Sequence, residues 1–208
     1  MKTAFFSLLL GATAAVGQVV QWMPGDGGNG HYYELVTAPG SITWEDADAA
    51  AQGAGGYLAT LTSASENAFG YTLASATASA WFIDASGNGL GPWLGGIQTT
   101  FTAEPAGGWT WVTGESWSYT NWASGEPSNF SGVEDRLQFF GSQTLMAATW
   151  NDLTSTGNAP DTPARSYLIE YNTAPIPEPS AYAVGIGAIA LGFVLSRRRR
   201  TEPKTSYL

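Results

Sequence analysis

The sequence predicts an α+β domain, because two helical patterns in its first half are followed by a series of short apolar runs typical of strands. Glycine, serine, asparagine and proline separate these runs and favour turns and loops. No repeat of fixed period is present, so the sequence does not indicate a solenoid. Residues 18–175 have the length of one ordinary domain, and we expect one hydrophobic core.

The first predicted helix covers residues 41–52. Thr43 and Asp46 have the spacing of an N-terminal capping pair. Small and apolar residues recur on one face of this helix, and the glycines at 53, 55 and 56 end it. The recurring residues are Trp44, Ala47 and Ala51.

A strand is predicted at residues 57–61, directly after the glycines. Ser63 and Glu66 then form a Ser-x-x-Glu capping box, which opens a second helix that carries Phe69 and Leu73. The first half of the domain is therefore helix, strand, helix.

The second half is predicted to consist of strands joined by loops. The apolar runs are residues 93–97, 109–112, 137–140, 148–150 and 166–171. The segment from Val112 to Arg136 has little regular pattern, and loops of this length in a compact domain are usually functional or disordered. Its tryptophans and its proline-containing turn favour order.

The first 17 residues have the layout of a secretory signal peptide. Lys2 supplies a positive charge, residues 4–10 are apolar, and the small residues Ala15 and Gly17 flank Val16. We therefore expect export, with cleavage before Gln18.

Residues 176–200 predict a membrane-linked sorting signal. An apolar run at 181–195 is shorter than the roughly 20 residues that cross a bilayer comfortably, but arginine stems can extend to the interface. Arginines on the cytoplasmic side place the domain outside, with residues 201–208 as a cytoplasmic tail. The flanking motif residues are Pro177, Glu178, Pro179, Arg197, Arg198, Arg199 and Arg200.

This tail resembles the PEP-CTERM sorting signal of Gram-negative bacteria. The resemblance implies anchoring in the inner membrane, processing by an exosortase near the Pro-Glu-Pro motif, and delivery to the cell surface or extracellular matrix. An ordinary membrane anchor is the alternative, but such an anchor has no need of Pro-Glu-Pro.

The charge of the domain favours cationic partners. Residues 18–175 carry 15 acidic side chains and two basic ones, Arg136 and Arg165, a net charge of −13. Nucleic acid is therefore a poor partner, whereas clustered carboxylates favour a bound cation. The acidity could also serve solubility alone. The chain has no cysteine, which excludes thiolate zinc sites and cysteine nucleophiles, and its nine tryptophans supply core volume instead.

Oxygen donors cluster in the long loop and on the strand that follows it. Glu126, Glu134 and Asp152 supply carboxylates, and Asn151 supplies an amide. Calcium takes six to eight such oxygen ligands in proteins. Pro127 can direct the side chains that flank it to one side, particularly if the bond before it is cis. Buried Trp150 would provide a fixed platform, and the alternative is a solvated acidic loop.

An ordered set of motifs resembles the C-type lectin domain across nearly all of residues 18–175. In chain order, the set is Trp44-x-x-Ala47-x-x-x-Ala51, Gly56-x-Leu58-Ala59-x-Leu61, Glu66, Trp93-Leu94-Gly95-Gly96, Asn121-Trp122, Glu126-Pro127, Glu134-Asp135, Trp150-Asn151-Asp152 and Leu168-Ile169-Glu170-Tyr171. The resemblance implies two helices, antiparallel strands and a long ligand-binding loop.

The resemblance also implies a Ca²⁺ ion that binds carbohydrate through two vicinal hydroxyls. The implied metal ligands are Glu126, Ser128, Glu134, Asn151 and Asp152. Asn129 and Asp135 are candidates for an auxiliary calcium. The implied sugar contacts are Glu126, Glu134 and Asn151, with Trp122 or Phe130 packed on the sugar face.

Two departures from the family pattern matter. Ser128 stands where the family usually has Asn or Asp, and its hydroxyl is a weaker calcium ligand, so we expect lower affinity. The family's disulfide positions fall here on Ala51 with Ile169 and on Arg136 with Ser155. Without the second disulfide, we expect a loop that depends more on calcium for its order.

We expect a binding protein and not an enzyme, since a metal would engage the carboxylates that glycoside hydrolysis needs as proton donors. The alternative function is a calcium-independent protein-binding or structural matrix module with the same fold. Trp44, Trp93, Trp109, Trp111 and Trp150 are predicted core residues. His31 receives no predicted role.

Overall fold

Two α-helices and ten short strands make up the described part of the chain, residues 14–156 and 164–175 of a computed structural model. Most of the predicted signal peptide and all of the sorting signal with its membrane helix lie outside these residues. Among the described residues, no helix is long and apolar enough to cross a bilayer. The observed α+β architecture agrees with the sequence prediction.

Helix α1, Trp44–Gly53, begins at the predicted cap. The Thr43 side chain accepts a hydrogen bond from the Asp46 backbone N–H at 3.0 Å, and this fixes the start of the helix three residues later than predicted. The predicted face is confirmed, since Trp44, Ala47 and Ala51 are the buried residues of the helix.

Helix α2, Ala64–Ser75, is capped by Ser63, whose hydroxyl accepts the Glu66 backbone N–H at 3.2 Å. The reciprocal half of the predicted capping box differs. The Glu66 carboxylate accepts the backbone N–H and the hydroxyl of Thr62, each at 2.7 Å, and it is buried. Glu66 is thus part of the interior and not only of the helix end.

The strands form one sheet, in which β1 to β10 are numbered in chain order. They are Ala15–Val16, Val20–Gln21, Tyr32–Thr37, Tyr57–Leu58, Phe82–Ile83, Gly89–Gln98, Trp109–Trp111, Arg136–Gly141, Trp150–Leu153 and Ser166–Tyr171. The main path is β1-β3-β10-β6-β8-β9, with β2, β4, β5 and β7 paired beside it. β3 was not predicted, and β1 lies within the predicted signal peptide, where it pairs with Val36 and Thr37.

The prediction of antiparallel strands is wrong at one place. β10 and β6 run parallel, with Tyr167 opposite Trp93, so the sheet is mixed. The predicted strand at 57–61 is also too long, because the Thr60 backbone N–H donates to the Glu170 side chain at 2.9 Å and not to a neighbouring strand. The predicted strand at 148–150 instead starts at Trp150 and continues to Leu153, which pairs with Arg136 of β8.

Tryptophans fill the core, as predicted. Each of the five predicted core tryptophans is at most 5% exposed. They belong to two clusters of buried residues, one of which contains Trp109, Trp111 and Trp150 while the other contains Trp44 and Trp93. Aromatic mass thus supplies the core of a domain that has no disulfide.

Non-covalent contacts occupy the two positions at which the resemblance to C-type lectin domains implies disulfides. Ala51 and Ile169 are buried in the same cluster. Arg136 forms an ion pair with Glu45 at 2.8 Å and lies 5.0 Å from the centre of the Trp44 ring, while the Ser155 carbonyl accepts the Trp44 N–H at 2.8 Å. The first turn of α1 therefore contacts both Arg136 and Ser155, the two residues of the second position.

Candidate functional site

The long loop between β7 and β8 is hydrogen-bonded to strand β9 at Trp150. The Trp150 backbone N–H donates to the Asn121 carbonyl at 2.9 Å, and the Ala123 N–H donates to the Trp150 carbonyl at 2.8 Å. These two bonds hold the loop over the strand that carries Asn151 and Asp152. The Glu126–Pro127 peptide bond, three residues beyond Ala123, is cis.

Trp150 is the platform for this crossing and is fully buried. Its ring lies 5.5 to 5.9 Å from four aromatic neighbours, and its indole N–H donates to the Asn67 side chain at 2.7 Å. The neighbours are Trp111, Trp117, Tyr119 and Trp122. A residue buried on all sides fixes the direction of the next two residues along β9.

Asp152 closes the loop onto β9. One carboxylate oxygen accepts the Ser128 backbone N–H at 2.8 Å, and the other accepts the Asn129 backbone N–H at 2.7 Å. Asp152 is fully buried, so these bonds replace water around its charge. The sequence indicated the residue but not its backbone partners.

Glu134 is held in the same way by the turn that precedes it. Its Oε2 accepts the Phe130 backbone N–H at 2.7 Å and the Ser128 hydroxyl at 3.2 Å, and its own N–H donates to the Asn129 side chain at 3.1 Å. Asn129 and Ser131 have φ values of 44° and 60°, a region that non-glycine residues seldom adopt. Such conformations concentrate at functional sites.

One oxygen donor of the predicted set is buried without a partner. The Glu126 Oε2 atom is buried and makes no hydrogen bond within the described residues. Asn151 lies on β9 beside Asp152 and is 7% exposed. An unpaired buried oxygen costs free energy, so Glu126 Oε2 is suited to bind a ligand.

Burial raises the pKa of two carboxyl groups in the site. The pKa of Glu134 is raised to about 7, chiefly by burial and further by the charges of Asp152 and Glu126. Burial also raises the pKa of Glu126, with a further contribution from Asp152. Ser128 contacts both Asp152 and Glu134, through its backbone N–H and its hydroxyl, so these two carboxylates lie on either side of one residue. A positive ion between them would relieve the repulsion.

The oxygen atoms of these side chains are of the type that binds a hard cation, but they are not arranged as a complete coordination shell. Among the described residues, no three Asp, Glu, His or Cys side chains are arranged as a formed metal cage. Asp152 and one oxygen of Glu134 already accept loop N–H groups, while the Glu126 Oε2 atom has no hydrogen-bond partner in this part of the chain. The auxiliary candidate Asp135 is paired with Arg136 at 2.9 Å.

The two candidate aromatic contacts have different surroundings. Trp122 is half-buried, with ring contacts to Trp109 at 5.0 Å and to Trp150, and it belongs to the platform. Phe130 is 70% exposed and Val133 is 55% exposed, and both lie in the turn that holds Glu134. Phe130 is therefore the aromatic residue available to a ligand.

No family model matches the chain. Halomucin of Haloquadratum walsbyi is 30% identical over 161 residues, covering 64% of this chain, and the mouse C-type lectin domain family 4 member G is 26% identical over 131 residues, covering 63%. The chain spans only 2% of halomucin and 36% of the mouse protein.

Solved structures with a similar fold include lectins and antifreeze proteins. The C-type lectin CEL-I of Cucumaria echinata is 21% identical with a TM-score of 0.49, over 67% of this chain and 89% of the lectin. In sequence, the chain is similar to a protein with a C-type lectin domain over 63% of its length.

Proposed function

We propose that this protein is an exported C-type lectin-like protein that binds carbohydrate through a calcium ion. Glu126, Glu134, Asn151 and Asp152 would hold the ion, and the Ser128 hydroxyl would lie beside it. The observation that carries the proposal is the buried Glu126 Oε2 atom, which has no hydrogen-bond partner among the described residues. Its carboxylate lies close enough to those of Asp152 and Glu134 for charge repulsion to act between them.

Each residue has a separate task in this proposal. A bound calcium ion would offset the acidic charge and accept two sugar hydroxyls as ligands. Glu126, Glu134 and Asn151 would hydrogen-bond the same hydroxyls. Phe130, exposed at the edge of the site, would pack on the apolar face of the sugar ring, while Trp122 would support the loop from below.

Calorimetric titration with calcium, followed by a glycan array with and without chelator, tests the proposal. We expect a measurable heat of calcium binding, a melting midpoint that rises with the logarithm of the calcium concentration above its Kd, and glycan capture that requires calcium. Equal glycan capture in chelator, or no calcium heat, would contradict it.

The pH dependence of the melting midpoint is a second expected result. Because the pKa of Glu134 is raised to about 7 in the folded protein, its contribution to stability without calcium is present at low pH and is lost as pH rises through about 7. Calcium binds the ionised form of Glu134. The stabilisation that calcium provides should therefore be larger at about pH 8 than at about pH 6.

Melting curves with chelator and with calcium at these two pH values check this result. Glu134→Gln is the control, because it removes this titrating group and should reduce the pH dependence measured in chelator. A calcium effect that is the same at both pH values would argue against Glu134 as a ligand.

One observation favours a second candidate, a calcium-independent module that binds protein or builds matrix. The loop N–H groups of Ser128, Asn129 and Phe130 already satisfy the oxygens of Asp152 and Glu134, so the loop has order without an ion. Chelator-insensitive binding in the array experiment would favour this candidate.

We further propose that the protein reaches the cell surface or matrix through the sorting signal at Pro177, Glu178 and Pro179, with exosortase as its processing partner. Support comes from the residue pattern of the tail and from the acidic, cysteine-free domain that precedes it.

A further inference from the structure

A second acidic cluster lies away from the calcium candidate and joins residues that are far apart in the chain. We name it the acid hub. Its members are His31, Tyr33, Thr60, Glu66, Glu115 and Glu170. A cavity of about 340 Å³ opens beside it, lined by His31, Glu66 and Glu115 among others. No part of the proposed carbohydrate site uses this cluster.

Glu170 is the centre of the acid hub and is 1% exposed. Its Oε1 lies 2.7 Å from the His31 Nδ1 atom and 3.0 Å from the Tyr33 hydroxyl. Its Oε2 lies 2.9 Å from both the backbone N and the hydroxyl of Thr60. His31 has no role predicted from the sequence, and in the structure it is a partner of Glu170.

Two hydroxyl groups each lie between two carboxylates. The Tyr33 hydroxyl is 2.7 Å from Glu66 and 3.0 Å from Glu170. The Thr60 hydroxyl is 2.7 Å from Glu115 and 2.9 Å from Glu170. A hydroxyl has one proton to donate, and an ionised carboxylate has none. Four short oxygen contacts therefore share two hydroxyl protons.

One additional proton, placed on Glu170, satisfies the arrangement. Protonated Oε2 would donate to the Thr60 hydroxyl, which donates onward to Glu115, while the Tyr33 hydroxyl donates to Glu66. Oε1 would remain an acceptor for His31. Only the contact between Tyr33 and Glu170 then lacks a proton, and at 3.0 Å it is the longest of the four.

We propose that Glu170 keeps a proton in the folded protein at neutral pH, and that the acid hub is a pH-sensitive lock that loosens when this proton is lost. The segment carrying Asn29 and His31 would loosen first, since both side chains bond only to the hub or its immediate surroundings. Glu115, at the start of the long loop, would lose its contact through Thr60.

The surroundings of Glu170 agree with this proposal. Burial raises the pKa of Glu170, and the charge of Glu66 adds to the effect, while hydrogen bonds from His31 and Thr60 act against it. Burial and the neighbouring carboxylates raise the pKa of both Tyr33 and Tyr57, so both tyrosines stay neutral and keep a proton to donate. His31 is the basic side chain that faces Glu170.

Carboxyl-carbon NMR of the full-length protein, recorded in chelator across the pH range, tests the proposal. We expect the Glu170 resonance, assigned by its loss in Glu170→Gln, to report a protonated carboxyl at pH values where exposed glutamates are ionised. Its deprotonation should coincide with faster hydrogen exchange at His31. An ionised Glu170 carboxyl throughout the native range would overturn the proposal.

Melting curves of variants provide an independent measurement. Glu170→Gln keeps a donor for the Thr60 hydroxyl and an acceptor for His31, but its amide nitrogen cannot accept the Thr60 backbone N–H. It should therefore melt below wild type at low pH, and this difference should shrink as pH rises and wild type loses the Glu170 proton. Both chains carry Glu134→Gln, so that the titration of Glu134 does not contribute to the difference. Glu115→Gln, at the exposed rim, should leave the pH dependence in place. If Glu170→Gln loses stability equally at every pH, the lock does not exist.

Discussion

Replacement of Asp152 by alanine is expected to abolish the calcium-induced rise in melting midpoint and to destabilise the calcium-free protein by about 2 to 5 kcal/mol. The loss has two sources. The proposed calcium loses a ligand, and the backbone N–H groups of Ser128 and Asn129 lose the acceptors that hold the loop on β9. Chemical denaturation gives the free energy, and melting with and without calcium gives the response to the ion.

A matched control separates these two sources. Asp84 also accepts two backbone N–H groups, those of Ser86 and Asn88, each at 2.8 Å, but it does so in a turn before β6. Asp84→Ala should therefore destabilise the protein and leave the calcium response intact. A calcium response that survives Asp152→Ala would remove this residue from the ligand set.

Replacement of Trp150 by alanine is expected to lower the free energy of unfolding by about 3 to 5 kcal/mol. The side chain is fully buried, its ring meets four aromatic neighbours, and its N–H satisfies Asn67. Its loss leaves a cavity directly under Asn151 and Asp152. We therefore expect weaker calcium binding as well, measured by calorimetry on protein that urea denaturation shows to be folded.

Trp150→Phe and Trp117→Ala are the controls for this prediction. The phenylalanine keeps most ring contacts but leaves Asn67 without its donor, so its cost should lie near 1 to 3 kcal/mol, roughly the value for one unsatisfied buried group. Trp117 is half-buried and lies at the edge of the cluster, so its loss should cost less than that of Trp150. A smaller cost for Trp150→Ala than for Trp117→Ala would contradict the platform role.

In the candidate site, the residue pattern predicted the side chains that carry oxygen donors but not the backbone groups that hold them in place. The sequence indicated Glu126, Glu134, Asn151 and Asp152, because oxygen-bearing side chains around a proline and a buried tryptophan are recognisable in one dimension. The N–H donors that hold Asp152 and Glu134 could not be predicted, since every residue type has a backbone N–H and only the path of the loop decides which ones turn inward.

Sequence by itself determined the features that depend on neighbours along the chain. Thr43 and Ser63 set the helix starts through bonds to residues three positions later, and the tryptophans are buried because their apolar area leaves water wherever the chain folds. Tertiary structure alone decided the parallel pairing of β10 with β6 and the meeting of His31 with Glu170 across 139 positions. Contacts at such separations depend on the register and crossing of whole strands, which no local pattern encodes.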